Sequence, residues 1–154
     1  MIEKLFNEQT VAVDVKAEDW TEAVKYGGSL LVNAGYTDKE YIEAMIDNVN
    51  KMGQYIVIAP GLAMPHARPE FGVKKIGMAL VKLAEPVKFG HEKYDPVDVL
   101  VFLCAVDHTS HIEALSELMQ LLEDEDFLLN VRSGMTKDEI IAYISKQQYL
   151  KGDM

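Results

Sequence analysis

Four histidines, His66, His91, His108 and His111, are the residues best suited to nucleophilic, acid–base or metal chemistry near neutral pH. His66 lies in Ala59-Pro-Gly-Leu-Ala-Met-Pro-His-Ala-Arg-Pro69, where Pro60-Gly61 signals a turn. Pro65 and Pro69 bias Met64 and Arg68 toward extended backbone, so the segment is expected to be stiff. Small neighbours at Gly61, Ala63 and Ala67 leave room around an imidazole that a partner could reach, as a nucleophile requires. A surface histidine in a Pro-rich turn fits the same spacing. Arg68 follows two positions on, on the same side of an extended chain, where its guanidinium would attract phosphate oxygens.

His111 falls in Ser110-His-Ile-Glu113, a capping-box pattern that predicts a helix starting at Ser110 with His111 in its first turn. There the helix dipole and free backbone N–H groups favour an anion and disfavour an imidazolium. A neutral His111 could then donate to a phosphoryl group brought by another residue; an exposed histidine without a role is the plain alternative. His108 and His111 also have the i, i+3 spacing of a metal pair. His108 is expected to precede the helix, however, and no carboxylate or thiolate is evidently shared. His91 lies in a charged loop, Gly90-His-Glu-Lys-Tyr-Asp95.

The familiar nucleotide and nucleophile motifs are missing: no G-x-x-x-x-G-K-[ST], no G-x-G-x-x-G, no G-x-S-x-G and no paired cysteines. Phosphoryl chemistry on this chain must therefore begin from an already activated donor.

Periodicity predicts the elements that would carry these residues. Asp19–Ala34 reads as a helix capped by Asp19 and ended by Gly35; Thr37-Asp-Lys-Glu40 is a second capping-box pattern, leading a helix that Gly53 stops. Tyr55–Ala59, Ile76–Leu83 and Val97–Ala105 read as strands, the last apolar on both faces and so central; Val11–Val13 is counted as a short fourth. Helices resume after Ser110, with the stripe Ile112/Leu115/Leu118/Met119/Leu122, and after Thr136, with Ile140/Ile141/Ile144. This order implies an α/β fold: a single domain spanning 1–154, with a mixed β-sheet flanked by helices.

Composition narrows the function classes. The 154 residues carry a net charge of −10, a field that repels nucleic acid and anionic lipid. The charge is segregated: Pro60–Lys75 holds Arg68, Lys74 and Lys75 against Glu70 alone, whereas residues 107–126 carry seven acids and no Lys or Arg. The single cysteine, Cys104, excludes a disulfide scaffold. No basic, apolar leader opens the chain, and the apolar run 99–106 is far shorter than the roughly 20 residues a bilayer requires. A cytoplasmic protein without membrane insertion, cofactor or metal is expected.

The stretch Gly61-Leu-Ala-Met-Pro-His66 resembles the Gly-x-Ala-x-Pro-His signature of the EIIA components of the bacterial phosphoenolpyruvate-dependent sugar phosphotransferase system (PTS), of the mannitol/fructose type. Ile58–Lys75, with Asp95-Pro-Val-Asp98 and Ala105-Val-Asp107, is similar to the ascorbate branch. The resemblance covers nearly the whole chain and implies that family's α/β sandwich. It further implies that His66 accepts a phosphoryl group from the phosphocarrier HPr and passes it to a cysteine of EIIB, for sugar entering through EIIC. By the same resemblance His111 hydrogen-bonds the phosphoryl oxygens. Many relatives carry an arginine upstream of the active histidine; Asn48 and Lys51 occupy that region here. Lys51, Arg68 and Ser110 are the candidates for further phosphate contact. Two rival readings remain: a regulatory module switched by phosphorylation of the same histidine, and a histidine-based metal hydrolase.

Overall fold

Val97–Cys104 is apolar on both faces, and in the computed structural model, which describes residues 2–147, it forms the middle strand of the sheet. The strands are β1 (Val11–Val15), β2 (Val57–Ala59), β3 (Leu62–Ala63), β4 (Gly77–Val87) and β5 (Val97–Cys104). Their order across the five-stranded sheet is β1-β4-β5-β3-β2. β1 runs parallel to β4 and β3 parallel to β5, while the β4–β5 and β2–β3 pairs are antiparallel, so the sheet is mixed as expected.

Alternation along β5 divides its side chains between two apolar cores. Leu100, Phe102 and Cys104 face α1 (Trp20–Asn33) and α2 (Glu40–Met52); Val99, Val101 and Leu103 face α3 (His108–Glu123), α4 (Glu125–Arg132) and α5 (Lys137–Ser145). Helices thus cover both faces, which is why the strand has no polar side. Helix α1 approaches very closely at Gly27: a Cβ there would stand 2.0 Å from the Phe102 ring. A residue that weakens an isolated helix is kept for contact with the sheet.

Several boundaries differ from the expectation. The Thr37 capping box does not form: α2 begins at Glu40 behind Lys39, with no side-chain cap. Thr37 is instead buried and bridged to Val73, which holds it out of capping position. The Ser110 box is displaced in the same way. Asp107 caps α3, its carboxylate accepting from Ser110 N–H at 2.8 Å, so the helix starts at His108 rather than after it. Of the predicted stripe on α3, Ile112 is exposed, and Ala114, Leu118, Leu121 and Leu122 form the buried face. Residues 53–56 form a 3-10 turn, leaving only Val57–Ala59 as strand; β4 runs on to Val87 through an irregular register. The Thr136 capping box and the Asp19 cap both form as read.

Candidate active site

The parallel pair β3 and β5 delivers two chain segments to the same end of the sheet. Beyond Ala63 the chain runs to His66, and beyond Cys104 it runs to the start of α3. Open α/β sheets bind ligands at the carboxyl ends of their strands, where such segments converge. Here they border a groove of about 990 Å³ whose third wall is α2. His66 and Arg68 line it from one segment, Asp107, His108 and His111 from the other, and Asn48 and Lys51 from the helix.

The turn that launches β3 is held from behind. Gly61, at φ 72°, donates to the Tyr94 carbonyl at 2.9 Å, and its own carbonyl accepts from Asp98 and Val99 N–H. Arg132 bonds both carboxylate oxygens of Asp98 and reaches the Pro60 carbonyl at 2.7 Å, leaving a side chain at position 61 no space.

His66 is half-buried, and its Nδ1 lies 2.9 Å from the Met64 carbonyl oxygen. A carbonyl only accepts, so Nδ1 carries the proton in the neutral ring and Nε2 carries the lone pair. The ring is therefore a nucleophile at one defined nitrogen. Its backbone is tied to α2: Asn48 Nδ2 donates to the His66 carbonyl at 2.8 Å, and the Tyr41 hydroxyl accepts from Ala67 N–H at 3.0 Å. Tyr41 is fully buried, and burial pushes its phenol far above the ordinary range, so it remains a neutral O–H that donates to the Leu103 carbonyl at 2.9 Å.

His111 is held below its ordinary pKa, first by burial and then by the charges of His66 and His108, so its neutral form prevails near pH 7. Its neutrality thus has a different cause from the first-turn argument. His111 N–H already bonds the Asp107 carbonyl at 3.1 Å, one full turn into the helix. What it offers a ligand is its ring.

Of the other sequence candidates, Lys51 is exposed on the groove wall, and the Arg68 side chain is 81% exposed with only a 4.0 Å ion pair to Glu70. Ser110 is not among the lining residues; its N–H and hydroxyl both bond Asp107. The locally basic character read around His66 is offset in space, because Glu40, Glu43 and Asp47 of α2 line the same groove. Among the described residues no three His, Cys, Asp or Glu side chains converge as a metal ion would require, and the His108/His111 pair gains no further ligand. Cys104 is buried, its thiol pushed up to about 12 by burial, and bonds the carbonyls of Gly77 and Lys75; it is a core residue.

Sequence reasoning missed His108 as a groove residue, and the hold of Tyr41 and Asn48 on the His66 backbone. A tyrosine on the apolar face of α2 was the available signal, since a buried phenol needs a hydrogen-bond partner.

Comparison with known proteins agrees with the fold. The profile of the family described as "Phosphoenolpyruvate-dependent sugar phosphotransferase system, EIIA 2" matches residues 4–147. The ascorbate-specific PTS system EIIA component of Escherichia coli K12 is 42% identical over 145 residues, 94% of each chain. The solution structure of the mannitol-specific cryptic phosphotransferase enzyme IIA of Escherichia coli superposes with a TM-score of 0.85 at 35% identity, covering 95% of this chain and 99% of that one. The mannitol enzyme IIA of Escherichia coli, solved in complex with phosphorylated enzyme IIB, gives 0.79 at 25% identity, with 92% and 97% covered. With a mixed sheet, 42% identity to an EIIA component and a profile match across nearly all of its length, the chain belongs to the EIIA 2 family of the phosphoenolpyruvate-dependent sugar phosphotransferase system, and is a phosphotransferase component.

Proposed function

We propose that His66 Nε2 is the phosphoryl acceptor of a PTS sugar transporter, charged by phospho-HPr and discharged to an EIIB cysteine, with L-ascorbate as the transported sugar. The observation that carries this reading is the 2.9 Å contact of His66 Nδ1 with the Met64 carbonyl, which leaves Nε2 as the basic nitrogen of a ring on the groove. In the first step an Nε2–P bond forms as the N–P bond of the donor breaks. In the second the Nε2–P bond breaks as a thiolate of EIIB forms an S–P bond, and the neutral ring of His66 is restored. Positioning and charge stabilisation supply the catalysis in both directions.

His111 donates a ring N–H to the phosphoryl oxygens, and its depressed pKa keeps it a neutral donor. Exposed Met52 and Phe71 border the groove beside the acids of α2, a surface that suits a protein donor better than a small free phosphate. The ascorbate assignment follows the 42% identity to the Escherichia coli ascorbate component. The EIIB partner follows the mannitol enzyme solved with its phosphorylated enzyme IIB.

The test is incubation with phosphoenolpyruvate, enzyme I and HPr, followed by intact mass. Wild type is expected to gain one phosphoryl group and His66→Ala none; a label that survives in His66→Ala refutes the assignment. Addition of the EIIB domain of an ascorbate or a mannitol transporter then separates the sugar branches by which one removes the label.

A further inference from the structure

The peptide unit that joins His66 to Ala67 is gripped at both polar ends by one helix. Its oxygen, that of His66, accepts from Asn48 Nδ2, and its N–H, that of Ala67, donates to the Tyr41 hydroxyl. Tyr41 and Asn48 stand at i and i+7 on α2 and share a face. Seven residues of helix rise about 10.5 Å, which is room for one peptide group with a hydrogen bond at each side. A trans peptide is planar, with C=O and N–H pointing in opposite directions. Rotation of the plane about its chain axis therefore strains both bonds at once.

The grip is anchored. Tyr41 is buried and donates to Leu103 on the central strand β5, so the plane is referred to the most rigid part of the sheet. On the other side of the residue, the Met64 carbonyl holds the ring itself. Backbone and ring are then both fixed, and little torsional freedom is left to the side chain between them.

We infer that Tyr41 and Asn48 are positioning residues for phosphoryl transfer: together they clamp the peptide plane after His66 and so aim Nε2 into the groove. This rests on the reading of His66 as acceptor. The two act through His66 and not on the phosphoryl group, and Asn48 does so without adding charge to the site. Half-buried Asn48 is the member to vary, because α2 packs through Tyr41, Met45 and Val49.

The experiment follows transfer from phospho-HPr through the protein to EIIB, with melting temperature measured on each variant. Asn48→Ala and Asn48→Asp, neither offering an amide donor, are expected to lower kcat about tenfold while KM for each partner stays within about twofold. Asn48→Gln, which keeps the amide donor on a longer stem, recovers most of the rate. Tyr41→Phe combined with Asn48→Ala is expected to lose little more than the worse single variant, because both act on one plane. In the unphosphorylated protein, ¹⁵N signals of the His66 ring report the Nδ1–H tautomer in wild type and move toward a tautomer average in Asn48→Ala. Wild-type kcat and ring signals in Asn48→Ala, or a loss confined to KM, would overturn the inference. Failure of wild type itself to take the phosphoryl group would sink the acceptor reading, and the ring signals would still show whether the plane is clamped.

Discussion

A histidine bound through one ring nitrogen offers chemistry only at the other, and that rule sets the role of His66. His66 gives Nδ1–H to Met64 and keeps Nε2; His111 has its backbone N–H committed to Asp107 and its ring at the groove. For His111→Ala, labelling of His66 is expected to survive while onward transfer slows by about a hundredfold, the usual effect of removing one donor from a developing anion. Stopped-flow transfer to EIIB measures it, and an unchanged rate would contradict the role. His111 also sets a pH dependence. Its folded pKa lies below the ordinary 6.5, so the unfolded chain takes up a proton there at higher pH than the folded one. Stability from this group is therefore present above about 6.5 and declines as the pH falls toward the folded value. His111→Gln, which cannot titrate, is expected to flatten the fall in melting temperature across that window; an equally steep fall would locate the effect elsewhere. At this scale the sequence made His66, Arg68 and His111 visible through residue type and spacing. The bonds of Asn48 and Tyr41 to the His66 segment were not legible, because they join residues distant in the chain and no local spacing encodes them.

Helix starts show why the elements were easier to find than to delimit. Two capping-box patterns, at Thr37 and Ser110, lost to stronger local chemistry: burial of Thr37 beside Val73, and the Asp107 carboxylate one turn earlier. The second shift matters for function, since it moves His108 into α3 and makes it a groove residue. Asp107→Ala, which removes the N-cap, is expected to lower the midpoint of urea unfolding. Because the cap also sets the turn bearing His108 and His111, the same variant is expected to slow transfer to EIIB; full stability with a wild-type rate would mean that Ser110 caps the helix after all. The long apolar strand β5 was legible because burial on both faces leaves an unbroken run. The two-residue strand β3 was not, because so short a segment has no period to read, and its pairing depends on Gly61, Arg132 and Asp98 meeting across the fold.

At the level of the whole molecule, one mixed sheet separates two apolar cores and brings two segments together at one end of its parallel strands. The arrangement places His66, His108 and His111 on one groove and leaves exposed Met52 and Phe71 at its border. If that border docks protein partners, Phe71→Ser is expected to raise KM for phospho-HPr or EIIB about tenfold with kcat little changed, as loss of an apolar anchor would; a fall in kcat alone would place Phe71 in the chemistry instead. No helix among the described residues is long and apolar enough to cross a membrane. The central claim is the identity of one nitrogen, and NMR of ¹⁵N-histidine-labelled protein, phosphorylated through enzyme I and HPr, tests it directly. The account predicts phosphorus coupling to His66 Nε2 with the proton retained on Nδ1; coupling to Nδ1, or to the ring of His108 or His111, would contradict it.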